Sequence, residues 1–246
     1  MLLFKKKKIT LSQVFPKGYT DIHSHLLPGI DDGAKTLEDS LNLIRQFKTF
    51  GVTNLITTPH VMGQVWPNTP GIINQKLDTL KQALKDEGLS DINISAAAEY
   101  LLDDNFITLM KSKKLLTLKD NLVLVELSYF NPPSHLFEIL FDMQVAGYKP
   151  VLAHPERYTF YHNDVEKYDT LKKAGCLFQL NLLSLTKHYG EKVKATAHYL
   201  LKTGYYDFAG SDVHHKHHLK LLEKIGDKKI QRWLQSLLEK NLFFKP

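Results

Sequence analysis

Short runs of apolar and β-branched residues recur along the chain, separated by longer polar and mixed segments. Seven of these runs predict strands: GYTDIH, VTNLITT, INISAAA, NLVLVEL, KPVLA, CLFQLNL and YYDFAGS. Between most of them the hydrophobic period changes to that of a helix. In TLEDSLNLIRQFKTF, for example, one face collects Leu37, Leu41, Ile44 and Phe47. The chain is therefore predicted to alternate strands with helices.

The ends of the predicted helices carry their own signals. Thr36 followed by Asp39 resembles a capping box at the start of the first helix. The helical segments repeatedly finish on a glycine, the residue that most easily takes the left-handed conformation beyond a helix C-terminus. These glycines are Gly51, Gly88, Gly147, Gly175 and Gly204. The order strand, helix, glycine, strand predicts βα units around a parallel sheet.

This alternation is compatible with an open doubly wound sheet or with a closed barrel. No glycine-rich phosphate turn follows the first strand, and residues able to bind a ligand follow nearly every strand, so we favour the barrel. Seven strands predict an α/β fold of the distorted (β/α)₇, TIM-like kind. No stretch resembles an interdomain linker. We therefore predict a basic N-terminal leader over residues 1–18 and a single domain over residues 19–246.

Composition agrees with one globular unit, since the 246 residues are 43% hydrophobic and 24% charged. The single cysteine, Cys176, excludes an intramolecular disulfide and a thiolate-rich zinc site, and it is predicted to be a small buried hydrophobe. A reducing, cytoplasmic location is the natural interpretation. The start MLLFKKKKIT is too short to cross a bilayer, and no transmembrane segment is predicted.

Net charge is +6 and the isoelectric point is about 9.1. Apart from the N-terminal lysine run, the basic residues alternate with acidic ones, as in QKLDTLKQALKDEG, so nucleic-acid binding is not expected. The lysine run is interpreted as a solvated tail, with contact to anionic lipid or an acidic partner as the alternative. The positive balance also favours phosphorylated or acidic substrates.

Imidazole and carboxylate groups stand at the ends of six of the predicted strands. They are His23, His25, His60, Glu99, Glu126, His154, Asp212 and His214. The C-terminal ends of parallel strands share one face of the fold, so these groups are predicted to form one site. Asp31 and Asp32 follow in the first loop ahead of Gly33, and Asp32 is the favoured ligand. Burial of several unpaired carboxylates costs several kcal/mol each unless cations are present, so the pattern predicts bound metal.

Imidazoles and carboxylates without thiolates favour Mn, Fe or Zn. The predicted ligands are His23, His25, Asp32, His60, Glu99, Glu126, His154, Asp212 and His214. This set is too large for one ion with about four to six coordination positions, so two or three ions are predicted.

With these residues in place, the sequence resembles the polymerase and histidinol phosphatase (PHP) superfamily. More closely it resembles the bacterial manganese-dependent protein-tyrosine phosphatases that accompany capsule and exopolysaccharide synthesis. The resemblance runs from Tyr19 to about His214. Its motifs, in order, are DIHSHLLPGIDDGAKTLEDSL, TPH, AAEY, ELS, AHPERY and GSDVH.

The resemblance implies a distorted (β/α)₇ barrel with a trinuclear centre, most simply of Mn²⁺, and the same nine ligands. It implies a phosphotyrosine protein as substrate, typically a bacterial tyrosine kinase with a tyrosine-rich tail. The catalytic residues we expect are Arg157, which would hold the phosphate, His60, a candidate general acid alongside a metal-bound water, and Asp212. The oligomeric state is left open.

Two features depart from the pattern of that family. A leader precedes the first motif, and the second arginine that relatives carry after the SDxH element is replaced by HHKHHLK. Lys216 or Lys220 is a candidate substitute, although lysine lacks the bidentate geometry of arginine. His215, His217 and His218 are predicted to be surface residues.

A divalent ion lowers the pKa of bound water to about 7, which predicts in-line attack of hydroxide on phosphorus. A small-molecule phosphoesterase such as a histidinol phosphatase would share every metal ligand and is the alternative. A non-catalytic PHP module serving polymerase or nucleic-acid binding, suggested by the isoelectric point of about 9.1 and the lysine run, is a further rival.

Overall fold

The protein is an α/β fold with parallel strands, as seen in a computed structural model that describes residues 11–162, 164–225 and 228–246. Its strands are β1 (Thr20–Asp21), β2 (Asn54–Thr57), β3 (His60–Val61), β4 (Asn93–Ala96), β5 (Glu99–Leu101), β6 (Leu122–Glu126), β7 (Lys149–Ala153), β8 (Leu177–Asn181) and β9 (Phe208–Gly210). Its helices are α1 (Leu37–Thr49), α2 (Pro70–Asp86), α3 (Asp104–Lys111), α4 (Leu136–Val145), α5 (Val165–Lys173), α6 (Glu191–Lys202), α7 (Lys216–Leu222) and α8 (Lys228–Lys240).

The strands form two parallel sheets, β1-β2-β4 and β3-β5-β6-β7-β8-β9. Nine strands arise from seven predicted ones because two of the predicted segments are each followed by a second short strand. The break between β2 and β3 falls at Pro59, which has no N–H to give to a sheet. Hydrogen bonds continue past both breaks, from the Ala97 amide to the Thr57 carbonyl and from the Glu99 amide to the Pro59 carbonyl.

The first and last strands approach each other beyond their regular ends. Ser24 and Val213 form a parallel bridge, and the His25 amide donates to the Val213 carbonyl at 2.9 Å. On the other side, the Thr58 amide donates to the Ser24 carbonyl at 2.7 Å. The sheet edge thus curls round, and the segment carrying the two histidines of the first motif lies between neighbours on both sides.

Alternation along each strand sorts side chains between two apolar clusters. In β6, Val123 and Val125 belong to the large cluster under the helices, whereas Leu122 and Leu124 belong to a smaller cluster on the other face of the sheet. Glu126 has the same parity as Leu122 and Leu124. The strand period therefore directs this carboxylate to the concave side of the sheet.

The predicted helix signals are confirmed. Thr36 caps α1 and forms a reciprocal capping box with Asp39. On the predicted stripe, Leu41, Ile44 and Phe47 are buried. The five glycines that end helical segments all have positive φ, from 67° to 90°.

Cys176 is buried, as predicted. Residues 1–10 of the predicted leader lie outside the described residues. Within its described part, Leu11–Gln13 forms a 3₁₀ turn and Leu11 is buried in the large apolar cluster. Among the described helices, none has the length and apolar character needed to cross a membrane.

Candidate metal centre

A cavity of about 400 Å³ opens at the C-terminal ends of the strands. Its walls are formed by residues from many separate parts of the chain. They are Asp32, His60, Met62, Trp66, Glu99, Glu126, Tyr129, His154, Arg157, His188, Tyr189, Asp212, His214, His215 and His218. His23 and His25 lie directly beneath the cavity and are fully buried.

The two histidines of the first motif present one ring nitrogen each to the centre of the site. His23 Nδ1 bonds to the Gln179 side chain at 2.8 Å, and His25 Nδ1 bonds to Asp31 Oδ2 at 2.8 Å. These bonds leave the two Nε2 atoms facing each other at 3.4 Å and both within 3.5 Å of Glu99 Oε2. Orientation of a histidine through its second nitrogen is typical of metal ligands.

Asp31 and Asp32 have different roles in the first loop. Asp31 holds the loop: besides binding His25, it accepts from the amides of Gly33 at 2.9 Å and His60 at 3.2 Å. The Asp32 side chain is 48% exposed, and its Oδ1 lies 3.4 Å from His214 Nε2. A Cβ on Gly33 would lie 2.3 Å from the His25 carbonyl oxygen, so this tight return of the loop requires glycine.

Glu99 is the common partner of four histidines. Its Oε2 lies 3.1 Å from His23 Nε2 and 3.2 Å from His60 Nδ1, in addition to the His25 contact. Its Oε1 accepts from His154 Nε2 at 2.9 Å. A fully buried carboxylate with both oxygens facing imidazoles would be a central ligand for divalent cations at this site.

His154 and Asp212 both have left-handed backbones, with φ of 37° and 52°. Such conformations are costly for residues other than glycine and concentrate at functional sites. Because Ala153 belongs to the cluster on the concave side, simple alternation would direct His154 to the helices. The left-handed turn instead directs His154 Nε2 to Glu99, where the strand ends.

All nine predicted ligands lie in this one region. Four overlapping groups bring their ligand atoms within 4.8 Å of one another. The groups are His25, Asp32, His60 and His214; His23, His154 and Asp212; His23, His25 and Glu99; and His60, Glu99 and Glu126.

The chemistry of these groups fits divalent cations. Three buried atoms of the site have no hydrogen-bond partner: His60 Nδ1, Glu126 Oε1 and His154 Nδ1. The first two of these atoms lie 3.0 Å apart but do not form a hydrogen bond with each other. Burial disfavours the charged form of His23 and by itself would lower the pKa of this histidine. The negative charges of Glu99 and Asp212 have the larger effect and raise the pKa of His23 to about 9. Burial and the negative charge of Glu99 raise the pKa of Glu126. The carboxylates therefore require positive charge, which divalent ions would provide.

Arg157 lies at the cavity wall, in the 3₁₀ turn Pro155–Arg157. Its guanidinium carbon stands 4.1 Å from the ring centroid of Tyr189 and 4.8 Å from that of Tyr129. Its Nη1 donates to Asp212 Oδ2 at 2.9 Å. Two aromatic rings and a carboxylate thus hold a planar cation beside the candidate metal ligands.

The residues after the SDxH element agree only in part with their predicted roles: His215 and His217 are exposed, as predicted. Lys216 and Lys220 are exposed, and neither lines the cavity. The prediction that His218 is a surface residue is wrong: it is 6% exposed and its Nδ1 accepts from the His214 amide at 3.3 Å. Helix α7 buries Leu219 and Leu222, and this orientation also turns His218 inward.

Several residues of the site were missed by sequence reasoning. The glutamine in the mainly apolar segment CLFQLNL was an available signal for Gln179, since a buried amide needs a partner. Tyr129, Tyr189 and Trp66 lie in loops without a periodic pattern, and nothing in the sequence distinguishes them. Trp66 stacks on His60, with ring centroids 5.2 Å apart.

The curled parallel sheet and the imidazole and carboxylate groups at its C-terminal edge define an α/β protein with a candidate multinuclear metal centre. A family model described as "Capsular polysaccharide synthesis, CpsB/CapC" matches residues 19–244. The chain therefore belongs to the CpsB/CapC family, and the resemblance predicted from the motifs is confirmed.

Individual relatives agree with the family match. The chain is 29% identical over 195 residues to the tyrosine-protein phosphatase YwqE of Bacillus subtilis (strain 168). The aligned region covers 79% of this chain and 76% of YwqE. It is 25% identical over 220 residues to the putative tyrosine-protein phosphatase CapC of Staphylococcus aureus, covering 88% and 86%.

A solved structure has a similar fold. It comes from work described as "Crystal structures of YwqE from Bacillus subtilis and CpsB from Streptococcus pneumoniae, unique metal-dependent tyrosine phosphatases". The two structures superpose with a TM-score of 0.78 and 26% identity, over 92% of this chain and 95% of that one.

Proposed function

We propose that this chain is a metal-dependent protein-tyrosine phosphatase. The observation that carries the proposal is the convergence of nine imidazole and carboxylate side chains around one cavity, with Arg157 on its wall. The relatives that match most of the chain are named tyrosine-protein phosphatases, and the similar solved structure is described as metal-dependent. The reaction is hydrolysis of a phosphoric monoester.

The finer fold assignment is part of the same proposal. Residues 19–246 form one PHP-type domain, a distorted (β/α)₇ barrel preceded by a leader over residues 1–18. Support comes from the parallel pairing of all nine strands in the described part of the chain and from the Ser24–Val213 bridge between the first and last strand segments.

We assign two or three divalent ions to the site, most simply Mn²⁺, with Fe and Zn as alternatives. The residues that would hold them are His23, His25, Asp32, His60, Glu99, Glu126, His154, Asp212 and His214. Bound divalent ions supply positive charge for phosphoryl oxygens and make water acidic enough to attack phosphorus at neutral pH.

Protein side chains orient the substrate and its leaving group. Arg157 binds phosphoryl oxygens through the guanidinium edge that is not occupied by Asp212. Phenolate, with a pKa of about 10, leaves with less help than an alkoxide. His60 is the candidate donor, alongside a water held by the ions. Its Nδ1 faces Glu99 and Glu126 at 3.2 and 3.0 Å, so any proton for the leaving group would come from Nε2, which faces Asp32 at 3.6 Å.

The substrate in this proposal is phosphotyrosine on a bacterial tyrosine kinase with a tyrosine-rich tail, or on another protein of exopolysaccharide synthesis. The family description, capsular polysaccharide synthesis, supports that assignment. A cytoplasmic location follows from the nature of such a substrate and from the single cysteine.

The test compares kcat/KM for a phosphotyrosine peptide and for histidinol phosphate, with Mn²⁺ present. We expect a clear preference for the peptide, and the opposite preference would overturn the substrate assignment. In parallel, the metal content of His154→Ala is measured by mass spectrometry. This variant should lose metal and turnover together, whereas His135→Ala, at an exposed histidine before α4, should lose neither.

A further inference from the structure

Large apolar side chains are exposed on the segment that follows β6, one in the loop next to the cavity and three on α4. Phe130 is 92% exposed, and on α4 Phe137, Phe141 and Val145 are 46%, 65% and 72% exposed. We call these four residues the apolar shelf. Single exposed apolar residues are ordinary, but a row of this kind typically marks an interaction site.

The shelf begins at the wall of the cavity. Tyr129 lines the cavity, stacks on His154 with ring centroids 6.0 Å apart and contacts Arg157, and Phe130 is the next residue. The Phe130 amide donates to Ser128 Oγ at 3.3 Å, and prolines at 132 and 133 restrict the backbone that follows. The Phe130 side chain is exposed next to the mouth of the site.

The other three residues of the shelf lie on the outer face of helix α4, which begins at Leu136. Phe137, Phe141 and Val145 are spaced four residues apart and so share one side of the helix. The opposite side already supplies the core contacts, through Ile139, Leu140 and Met143. The outer apolar stripe is therefore not needed for packing this helix on the sheet.

Charge favours a particular kind of occupant. Glu138 and Asp142 are exposed beside the stripe, and neither forms an ion pair with another residue in the described part of the chain. A ligand for this surface would therefore combine apolar side chains with basic ones. The cavity of about 400 Å³ accommodates a phosphotyrosine side chain but leaves the flanking polypeptide outside, where the shelf starts.

We propose that the apolar shelf binds the substrate polypeptide next to the phosphotyrosine, and that it selects segments with apolar and basic residues at that position. This inference rests on the proposed function, since it extends the same site. In this proposal, Phe130 and the outer face of α4 recognise the polypeptide of the substrate and not its phosphoryl group.

The experiment compares wild type with Phe130→Ser and Phe141→Ser on two substrates. One is a phosphotyrosine peptide carrying leucine and lysine residues beside the phosphotyrosine, and the other is para-nitrophenyl phosphate, which cannot reach the shelf. We expect kcat/KM for the peptide to fall about tenfold, mainly through KM, as for the loss of an aromatic interface residue. Turnover of para-nitrophenyl phosphate should not change. Tyr199→Ser, at an exposed aromatic residue on α6, should affect neither substrate.

Other outcomes would overturn the inference. An equal loss on both substrates, or no loss on either, would show that the shelf does not bind the polypeptide. Conversion of a dimer to a monomer by Phe141→Ser, with peptide turnover unchanged, would show a contact between copies instead. If wild type hydrolyses neither substrate, the proposed function is wrong, but the shelf can still be tested. The binding of a labelled phosphotyrosine peptide to wild type and both variants is then measured by fluorescence anisotropy. Weaker binding by both variants supports the shelf, and equal binding overturns it.

Discussion

The Arg157 guanidinium donates a hydrogen bond of 2.9 Å from Nη1 to Oδ2 of Asp212. The same carboxylate faces two imidazoles of the candidate centre through Oδ1, at 3.3 Å from His23 and 3.4 Å from His25. Asp212 therefore connects the Arg157 guanidinium, which we propose binds the phosphate, to two other candidate metal ligands. Asn181 Nδ2 also donates to Oδ2, at 2.6 Å, so the carboxylate keeps a partner if Arg157 is replaced.

Replacement of Arg157 tests this connection. Arg157→Ala should lower kcat/KM for a phosphotyrosine peptide about 100-fold, since it removes a positioned donor to the developing charge. Arg157→Lys should recover only part of the loss, because lysine cannot stack between Tyr129 and Tyr189 or bind two oxygens. Steady-state kinetics checks both variants. Arg45→Ala, at a surface arginine of α1, is the control, and unchanged kinetics in Arg157→Ala would contradict the assignment.

The contact between Gln179 and His23 predicts an effect on metal affinity without loss of a ligand. Gln179→Met should leave His23 in place but remove the 2.8 Å bond that orients its ring. Metal affinity should fall about 10- to 100-fold, as for other residues that orient ligands. Competition with a chelator measures the affinity, while thermal unfolding checks that the variant is folded. An affinity equal to that of wild type would show that the bond has no orienting role.

Much of this architecture follows from short-range patterns. Alternation in β6 predicts that Glu126 lies on the concave face with Leu124, and the capping box predicts the start of α1 at Leu37. Convergence of the ligands follows as well, since the ends of parallel strands meet at one edge. These features depend on local sequence and on general rules of topology.

Other features depend on long-range contacts and could not be predicted. The orientation of His218 is set by the packing of Leu219 and Leu222 in the short helix α7, so its position in a polar run misled the prediction. Tyr129 and Tyr189 meet Arg157 only because three separate loops fold together. Contacts between separate loops of this kind produce no periodic pattern in the sequence.

Cys176 should be chemically inert in the native protein. It is 2% exposed, and burial raises the pKa of its thiol to about 12, so the reactive thiolate is scarce at neutral pH. We expect a chromogenic disulfide reagent to label no thiol in folded protein and one after denaturation with guanidinium. Phosphatase activity should survive treatment with iodoacetamide. Rapid labelling of the folded protein, or inactivation by the alkylating reagent, would contradict this prediction.

Glu156 is a buried carboxyl group behind the cavity and gives the stability a pH dependence. Its Oε2 accepts from the Tyr206 hydroxyl at 2.9 Å and its Oε1 accepts from the Asn181 amide at 3.0 Å. Burial raises its pKa from 4.5 to about 7, although the hydrogen bonds from the Tyr206 hydroxyl and the Asn181 backbone amide oppose this shift. The folded state thus binds this proton more tightly than the unfolded state does.

Because the folded-state pKa is the higher one, the stabilising effect of the proton is complete below pH 4.5 and is lost as the pH rises through 7. Glu156→Gln keeps the shape of the side chain but removes this titration. Relative to that variant, wild type should therefore lose up to about 3 kcal/mol of unfolding free energy between pH 4.5 and pH 8, as a shift of this size implies. Urea unfolding of both proteins across this range, at constant metal content, measures the difference. Glu166→Gln, at an exposed position of α5, controls for the change in net charge. A difference between wild type and Glu156→Gln that stays constant with pH would show that the pKa of Glu156 is the same in the folded and unfolded states, so that burial does not raise it.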